Sequence, residues 1–118
     1  MVDDSAASID RAFRALGSAP RREILRRTAA QPCSVTQLAA HFDMSLAAVS
    51  KHVRVLADAG LLTSSREGRI HWCRFEVGAL TQVRASIDQL ATFWEKRLDA
   101  LEQVLVSDTA ARRGRKKR

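Results

Sequence analysis

The chain has 118 residues, of which 46% are hydrophobic and 28% charged, and its formal net charge is +7. This length and composition are those of one globular domain and exclude a wholly disordered or collagen-like chain. No apolar run approaches the ~20 residues that span a bilayer, and residues 1–4 lack the apolar segment of a signal peptide, so a cytoplasmic protein with no membrane partner is expected.

The positive charge is concentrated at one end of the chain. Residues 107–118 carry a net charge of +5, which leaves +2 on residues 1–106. Because this segment has no apolar residue larger than alanine, it is predicted to be a disordered basic tail. Such a tail is an arm that neutralises DNA phosphates, a solubilising terminus or a segment that contacts acidic residues of a partner. The overall charge alone therefore does not indicate a nucleic-acid site.

Two helices are predicted at the start of a domain that covers residues 8–106. The first has apolar residues at helical spacing, namely Ile9, Ala12, Phe13 and Leu16. Gly17 ends it, and Ser18 can cap the second helix with Pro20 in its first turn. The second helix is predicted to bury one face: Ile24, Leu25 and Ala29.

Two further helices follow, separated by a tight turn. Ser34 and Gln37 form a capping-box pattern at the start of a third helix of about eight residues. Ser45 caps a fourth helix, and Gly60 lies where a C-terminal glycine is expected. The apolar positions of the fourth helix predict a buried face: Leu46, Val49, Val53, Leu56 and Ala57.

A β-hairpin and a long helix complete the domain. Residues 61–66 and 70–75 are predicted to be strands joined by a turn at Gly68, and a helix is predicted over residues 79–106. Two short helices, a turn and then a hairpin predict a winged helix-turn-helix, mainly α with a small β-hairpin. The predicted order is four helices, two strands and a fifth helix.

Four segments of this sequence resemble the ArsR family of bacterial repressors. They are ALGSAPRREIL at residues 15–25, MSLAAVSKHVRVL at residues 44–56, AGLL at residues 59–62 and REGR at residues 66–69. The resemblance covers roughly residues 9–105. One departure is local, since Ser18-Ala19-Pro20-Arg21 replaces the Asp-Pro-Thr-Arg that is usual in the family, and serine also caps a helix.

The resemblance implies a homodimeric transcriptional regulator, usually a repressor that controls its own operon. In this family the first and last helices form the dimer, the fourth helix reads the major groove, and the hairpin wing reaches the flanking backbone or minor groove. A two-fold dimer of this kind is expected to bind double-stranded DNA at an inverted-repeat operator.

Candidate DNA-binding residues lie at the start of the third helix, on the outer face of the fourth helix and at the hairpin tip. They are Thr36, Gln37, Ser45, Ala47, Ala48, Ser50, Lys51, His52, Arg54, Arg66 and Arg69. Small residues let a helix approach the edges of DNA bases. Basic side chains and hydroxyls can contact phosphates or purines. The alternatives are a solvated helix face, an ordinary charged turn at the hairpin tip and, for His52, a capping or core hydrogen bond. Arg21 and Arg22 either contact phosphate or pair with Glu23 or Asp10.

Apolar residues on the first and last helices form a candidate dimer interface. They are Phe13, Leu16, Leu90, Phe93, Trp94, Leu98, Leu101 and Leu105. A stripe of this size in water would be an exposed apolar patch, which a second subunit would cover. Nearer the start of the last helix, Leu80, Val83 and Ile87 are predicted to belong to the core of their own chain.

Neither a metal site nor a cofactor is expected. A closed tetrahedral site needs about four converging ligands, and the histidines His41, His52 and His71 are scattered over three elements. No motif of an enzyme is present, so catalysis is not expected.

The sequence predicts no inducer site. Cys33 and Cys73 fall in different predicted elements, which favours packing roles over a redox pair. The alternative function is a ligand-responsive or redox-responsive sensor that uses Cys33 or a pocket in the dimer groove. A protein-interaction module that has lost DNA binding is a third possibility.

Overall fold

The computed structural model describes residues 4–116, with side-chain burial for residues 6–114. Its elements are α1 (Asp4–Leu16), α2 (Ala19–Ala30), β1 (Cys33–Ser34), α3 (Val35–His41), α4 (Leu46–Asp58), β2 (Leu62–Glu67), β3 (Ile70–Phe75) and α5 (Val77–Lys116). The chain divides into two compact units, one up to Val83 and one from Arg84 onward. The predicted winged helix-turn-helix order is confirmed.

The sheet has one strand more than the hairpin that the sequence predicted. All neighbours are antiparallel in the order β1-β3-β2, and β3 pairs with β2 along its whole length. The additional strand β1 pairs Cys33 with Cys73 and Ser34 with Trp72. Because a strand of two residues has no periodicity to detect, the sequence pattern contains no signal for it.

The core of the first unit is built from apolar side chains of α2, α3, α4 and the sheet. Its largest fully buried residues are Ile24, Leu38, Val49, Val53, Leu56, Leu61 and Cys73. The prediction for Ala29 was wrong, because Ala29 is exposed and Thr28 takes the buried position. The Thr28 hydroxyl donates to the Ile24 carbonyl at 2.8 Å, so its burial leaves no unpaired polar group.

The ends of the short helices are fixed by their capping residues. Ser18, Ser34 and Ser45 are the N-caps of α2, α3 and α4, as the sequence predicted. Gly60 follows α4 with a φ of +76°. Its N–H donates to Ala57 and the N–H of Leu61 donates to Leu56, which is a Schellman motif. These caps set where α4 begins and ends relative to the wing, which is the hairpin of β2 and β3.

The capping box of α3 is complete and provides a stability test. The Gln37 N–H donates to the Ser34 hydroxyl at 3.1 Å, and the Ser34 N–H donates to Gln37 Oε1 at 2.9 Å. Ser34→Ala is expected to lower the free energy of unfolding by about 1 kcal/mol. Urea denaturation would measure this, with Thr36→Ala as the control because Thr36 is exposed and has no capping role. Equal stability of the two variants would contradict the capping role.

The end of the long helix differs from the prediction. The sequence predicted a helix to residue 106 and a disordered tail, whereas α5 continues to Lys116. The prediction of disorder rested on the lack of large apolar residues, which limits packing but not local helix formation. The added turns have alanines and arginines, which favour helix, and an ion pair between Arg112 and Asp108 at 3.3 Å. Lys117 and Arg118, the last residues of the predicted tail, lie outside the described residues.

The three residues near the start of α5 that were predicted to lie in the core are buried to different extents. Val83 is buried and Leu80 packs partly against the core of the first unit. The prediction for Ile87 was wrong, since 49% of this residue is exposed. Helical spacing continues beyond the end of the domain core, so periodicity alone does not show where burial stops.

Candidate nucleic-acid interface

A groove of about 360 Å³ lies between the start of α3, helix α4 and the wing. Four of the predicted DNA-binding residues line it, and they come from three separate elements: Thr36, Gln37, Ser50 and Arg69. Two helices joined by a tight turn and a neighbouring hairpin form the frame that places a reading helix and a wing on one DNA surface. The fold therefore brings together residues that are up to 33 positions apart in the sequence.

At the start of α3, the polar side chains are only partly available. Gln37 uses its carbonyl oxygen and its backbone N–H in the capping box, so its side-chain NH₂ remains as a donor. Thr36 is exposed and can offer its hydroxyl. The Thr36 hydroxyl and the Gln37 side-chain NH₂ are thus the groups that the capping box leaves for a ligand, and DNA binding by these two residues stays a prediction.

The outward face of α4 is centred on Ala47, Lys51 and Arg54, which are all exposed. Ala48 and Ser50 are half-buried on either side of this face. The hydroxyl of Ser45 accepts from the Ala48 N–H at 3.1 Å, so it acts as a cap while its own proton can still be donated. A face with one small residue beside two cations suits close approach to a base edge with flanking phosphate contacts.

His52 lies on the side of α4 and does not share the outward face. It is half-buried, and among the described residues its Nδ1 has no hydrogen-bond partner. Burial lowers the pKa of His52, and the nearby positive charges of Arg21 and Lys51 lower it further. The lowered pKa favours the neutral ring, which can donate a hydrogen bond from one nitrogen and accept one at the other.

The wing presents positive charge at its tip. Gly68 has a φ of +64° at the first position of the two-residue loop, as a type II′ hairpin turn requires. Arg66 and Arg69 beside this turn are exposed. Within the described part of the chain, no ion pair involves Lys51, Arg54 or either of these two arginines. Among residues 4–116, these four positive charges therefore have no carboxylate within ion-pair distance.

Arg21 and Arg22 have a structural role that neither sequence interpretation included. The Arg21 side chain donates to the carbonyls of Ala15 at 2.8 Å and Arg14 at 3.2 Å, and Arg22 donates to Leu16 at 2.8 Å. These carbonyls end α1, where cations are favourable. Among the described residues, the contacts of Arg21 and Arg22 are thus with the end of α1, while Glu23 pairs with Arg26 and Arg27. A phosphate contact of either arginine stays a prediction.

Sequence reasoning missed two apolar residues in the groove. Leu46, predicted to be core, is 53% exposed, and Ile70 on the wing is 46% exposed; both line the groove. Leu46 has helical spacing to Val49 and Val53, so periodicity assigns it to their face. Its position as the first residue of α4 puts it beyond the edge of the core, a distinction that the sequence pattern does not contain.

The predicted dimer residues are mostly exposed. Phe13 on α1 is exposed and Leu16 is half-buried against the core of its unit. In the second unit, the exposed large apolar residues of α5 are Ile87, Leu90, Phe93, Trp94, Leu98, Leu101, Val104, Leu105 and Val106. Phe93 packs edge-on against Trp94 with ring centroids 5.7 Å apart. The stripe that the sequence predicted is thus present and uncovered in the single chain.

Among the described residues, no group of three or more His, Cys, Asp or Glu side chains is placed to hold a metal ion. Within residues 4–116, no helix is both long enough and apolar enough to cross a membrane.

Comparison with known proteins finds helix-turn-helix proteins that are similar to this chain. Residues 16–65 match a helix-turn-helix domain family. The chain is 33% identical over 101 residues to the HTH-type transcriptional regulator Rv2034 of Mycobacterium tuberculosis. The aligned residues cover 86% of this chain and 92% of that protein.

Two solved structures share the fold over most of the chain. The ArsR family transcriptional regulator RHA00566 is 32% identical with a TM-score of 0.69, over 80% of this chain and 95% of its own. The homodimeric winged helix-turn-helix DNA-binding domain Mb0332 of Mycobacterium bovis, a possible ArsR-family transcriptional regulator, is 25% identical with a TM-score of 0.60. That match covers 78% of this chain and 88% of its own.

Proposed function

Because this chain belongs to the ArsR family of DNA-binding, winged helix-turn-helix transcriptional regulators, we propose that it is a homodimeric repressor of an inverted-repeat operator. We further propose that this operator controls its own gene. The groove between α3, α4 and the wing carries the DNA-binding part of the proposal, since it gathers Thr36, Gln37, Ser50 and Arg69 from three elements.

Within this proposal, α4 and the wing have different tasks in DNA binding. The outward face of α4 enters the major groove, where Ala47 lies against base edges and Lys51 and Arg54 bind the flanking phosphates. The wing arginines Arg66 and Arg69 bind the backbone or a narrow minor groove beside it. Ser45, Ala48 and His52 contribute hydrogen bonds and close packing at the edges of the reading face.

Dimer formation rests on the uncovered stripe of α5. Monomeric proteins rarely leave an apolar patch of this size in water. A second copy that packs its own stripe against the first buries Trp94, Leu98 and Leu101 of both chains. In the first unit, Phe13 and Leu16 of α1 remain the proposed dimer contacts. Support comes from the Mycobacterium bovis domain, which is homodimeric. Two-fold symmetry would then place two reading helices on one face of DNA.

Salt titration tests the DNA-binding proposal. Arg69→Ala is expected to weaken binding to specific and random duplexes alike, because a phosphate contact carries no sequence information. It is also expected to flatten the slope of log affinity against log salt by up to about 0.9 for each phosphate that is no longer neutralised. Fluorescence anisotropy at several salt concentrations would measure both effects.

The matched control is Arg26→Ala. Arg26 is a well-exposed arginine on α2 that pairs with Glu23 at 3.0 Å and does not line the groove. The control removes the same charge from another surface and is expected to leave the slope almost unchanged. Equal slopes for the Arg26 and Arg69 variants would contradict the assignment of the wing to DNA.

A further inference from the structure

Strand pairing places the two cysteines of the chain directly opposite each other. Cys33 of β1 and Cys73 of β3 are antiparallel partners, and both are buried free thiols. Side chains at opposite positions point to the same side of a sheet, with Cβ atoms about 4.5–5.5 Å apart. A disulfide joins Cβ atoms that are about 3.5–4.5 Å apart. A shift of about 1 Å is therefore enough for bonding.

One of these thiols can be reached from solvent. A pocket of about 270 Å³ is lined by Cys33 together with Arg27, Gln31 and His41. This volume is several times the roughly 30 Å³ that a water molecule occupies, so a small oxidant fits. Cys73 is fully buried and does not line this pocket. An oxidant that enters would meet the Cys33 sulfur first, with the Cys73 sulfur behind it across the strand pair.

We propose that Cys33 and Cys73 are a modification site, at which hydrogen peroxide converts two thiols into an intramolecular disulfide. The Cys33 sulfur attacks one peroxide oxygen and the O–O bond breaks. Water leaves, and Cys33 becomes a sulfenic acid. The Cys73 sulfur then attacks the Cys33 sulfur, the S–O bond breaks and a second water leaves. Two thiols are oxidised and one hydrogen peroxide is reduced to two waters.

The surroundings of the thiols set the rate of this reaction. Burial raises the pKa of Cys33, although the Arg27 guanidinium partly offsets this effect. Burial and the adjacent Cys33 raise the pKa of Cys73 to about 11. The Cys33 thiol also donates to the Gln31 carbonyl at 3.3 Å. Because the thiolate is the nucleophile, bond formation is slow at neutral pH and accelerates in mildly alkaline solution.

The disulfide would act on the frame of the DNA-binding groove. Cys33 directly precedes Ser34, the N-cap of α3, and Cys73 lies in the wing strand β3. The bond would tie the start of α3 to the wing through a covalent link. This modification site goes beyond the proposed repressor function and does not depend on it.

The test is peptide mapping of the full chain after treatment with hydrogen peroxide, without reduction, at neutral and mildly alkaline pH. We expect both thiols to disappear in equal amounts, one cross-linked peptide that contains Cys33 and Cys73, and recovery of both thiols with dithiothreitol. The reaction is expected to be faster at the higher pH. Circular dichroism before and after treatment would show that the chain stays folded.

Single substitutions separate the two sulfurs. Cys73→Ser is expected to stop at a sulfenic acid on Cys33 that a dimedone probe traps, whereas Cys33→Ser leaves Cys73 as a free thiol. The proposal is overturned if wild-type protein oxidises Cys33 while Cys73 stays free. It is equally overturned if only disulfides between chains form, or if both thiols survive in alkaline peroxide. The wild-type mapping decides the matter even if a variant does not fold.

Discussion

Leu101→Glu is expected to change the protein from a dimer of about twice the 13.1 kDa chain mass to a monomer. Leu101 is 54% exposed in the single chain, so the substitution removes little core packing and should leave the fold intact. In the proposed dimer the new carboxylate would be buried without a partner, which costs about 2–5 kcal/mol. Two-fold symmetry introduces this charge twice. Light scattering at micromolar concentration would measure the mass.

Gln103→Glu is the matched control for this experiment. Gln103 is also exposed, and at 100° per residue it lies on the side of α5 opposite the stripe of Leu98, Leu101 and Leu105. The same carboxylate is introduced two residues away, yet the dimer is expected to persist. A wild-type protein that is monomeric, or a Leu101 variant that stays dimeric, would show that the stripe is not the interface.

Ala47→Phe is expected to lower affinity for a specific site by about 1–3 kcal/mol while affinity for random DNA changes little. Ala47 lies at the centre of the exposed face of α4, so a larger side chain there displaces no core residue. It would instead prevent the close approach of the helix to base edges in the major groove. Titration of a duplex selected by the wild-type protein, and of a scrambled duplex of the same composition, would measure the two affinities.

Ala40→Phe is the control for this substitution. Ala40 is an exposed residue of α3 that does not line the groove. The variant makes the same change of residue on a neighbouring helix, and the ratio of specific to random affinity is expected to stay at the wild-type value. If the Ala47 variant also kept that ratio, the outward face of α4 would not be the reading surface.

Most of the first unit could be predicted because its elements begin and end with local signals. Ser34 with Gln37 and Gly60 after α4 act on backbone groups within a few residues of themselves, and the structure has these caps where the sequence placed them. The wing was predictable for the same reason, since Gly68 supplies the positive φ of its turn.

What could not be predicted depends on tertiary contacts. Leu46 and Ala29 have the spacing of buried residues, but burial depends on how far the neighbouring elements extend. The role of Arg21 depends on α1 ending against α2. The two residues of β1 have no hydrophobic periodicity. The pairing of Cys33 with Cys73, which depends on this strand, was therefore not predictable from the sequence. Each case is a contact between segments that are distant in the sequence or a boundary of the core.

A footprint on the DNA upstream of the protein's own gene tests the central proposal most directly. Sequence-specific binding by a two-fold dimer predicts a protected inverted repeat whose half-sites are centred about one helical turn apart. This protection should appear at protein concentrations too low to cover random DNA, and it should weaken as salt is raised. Uniform coverage of upstream and random DNA at the same protein concentration would contradict the proposed repressor.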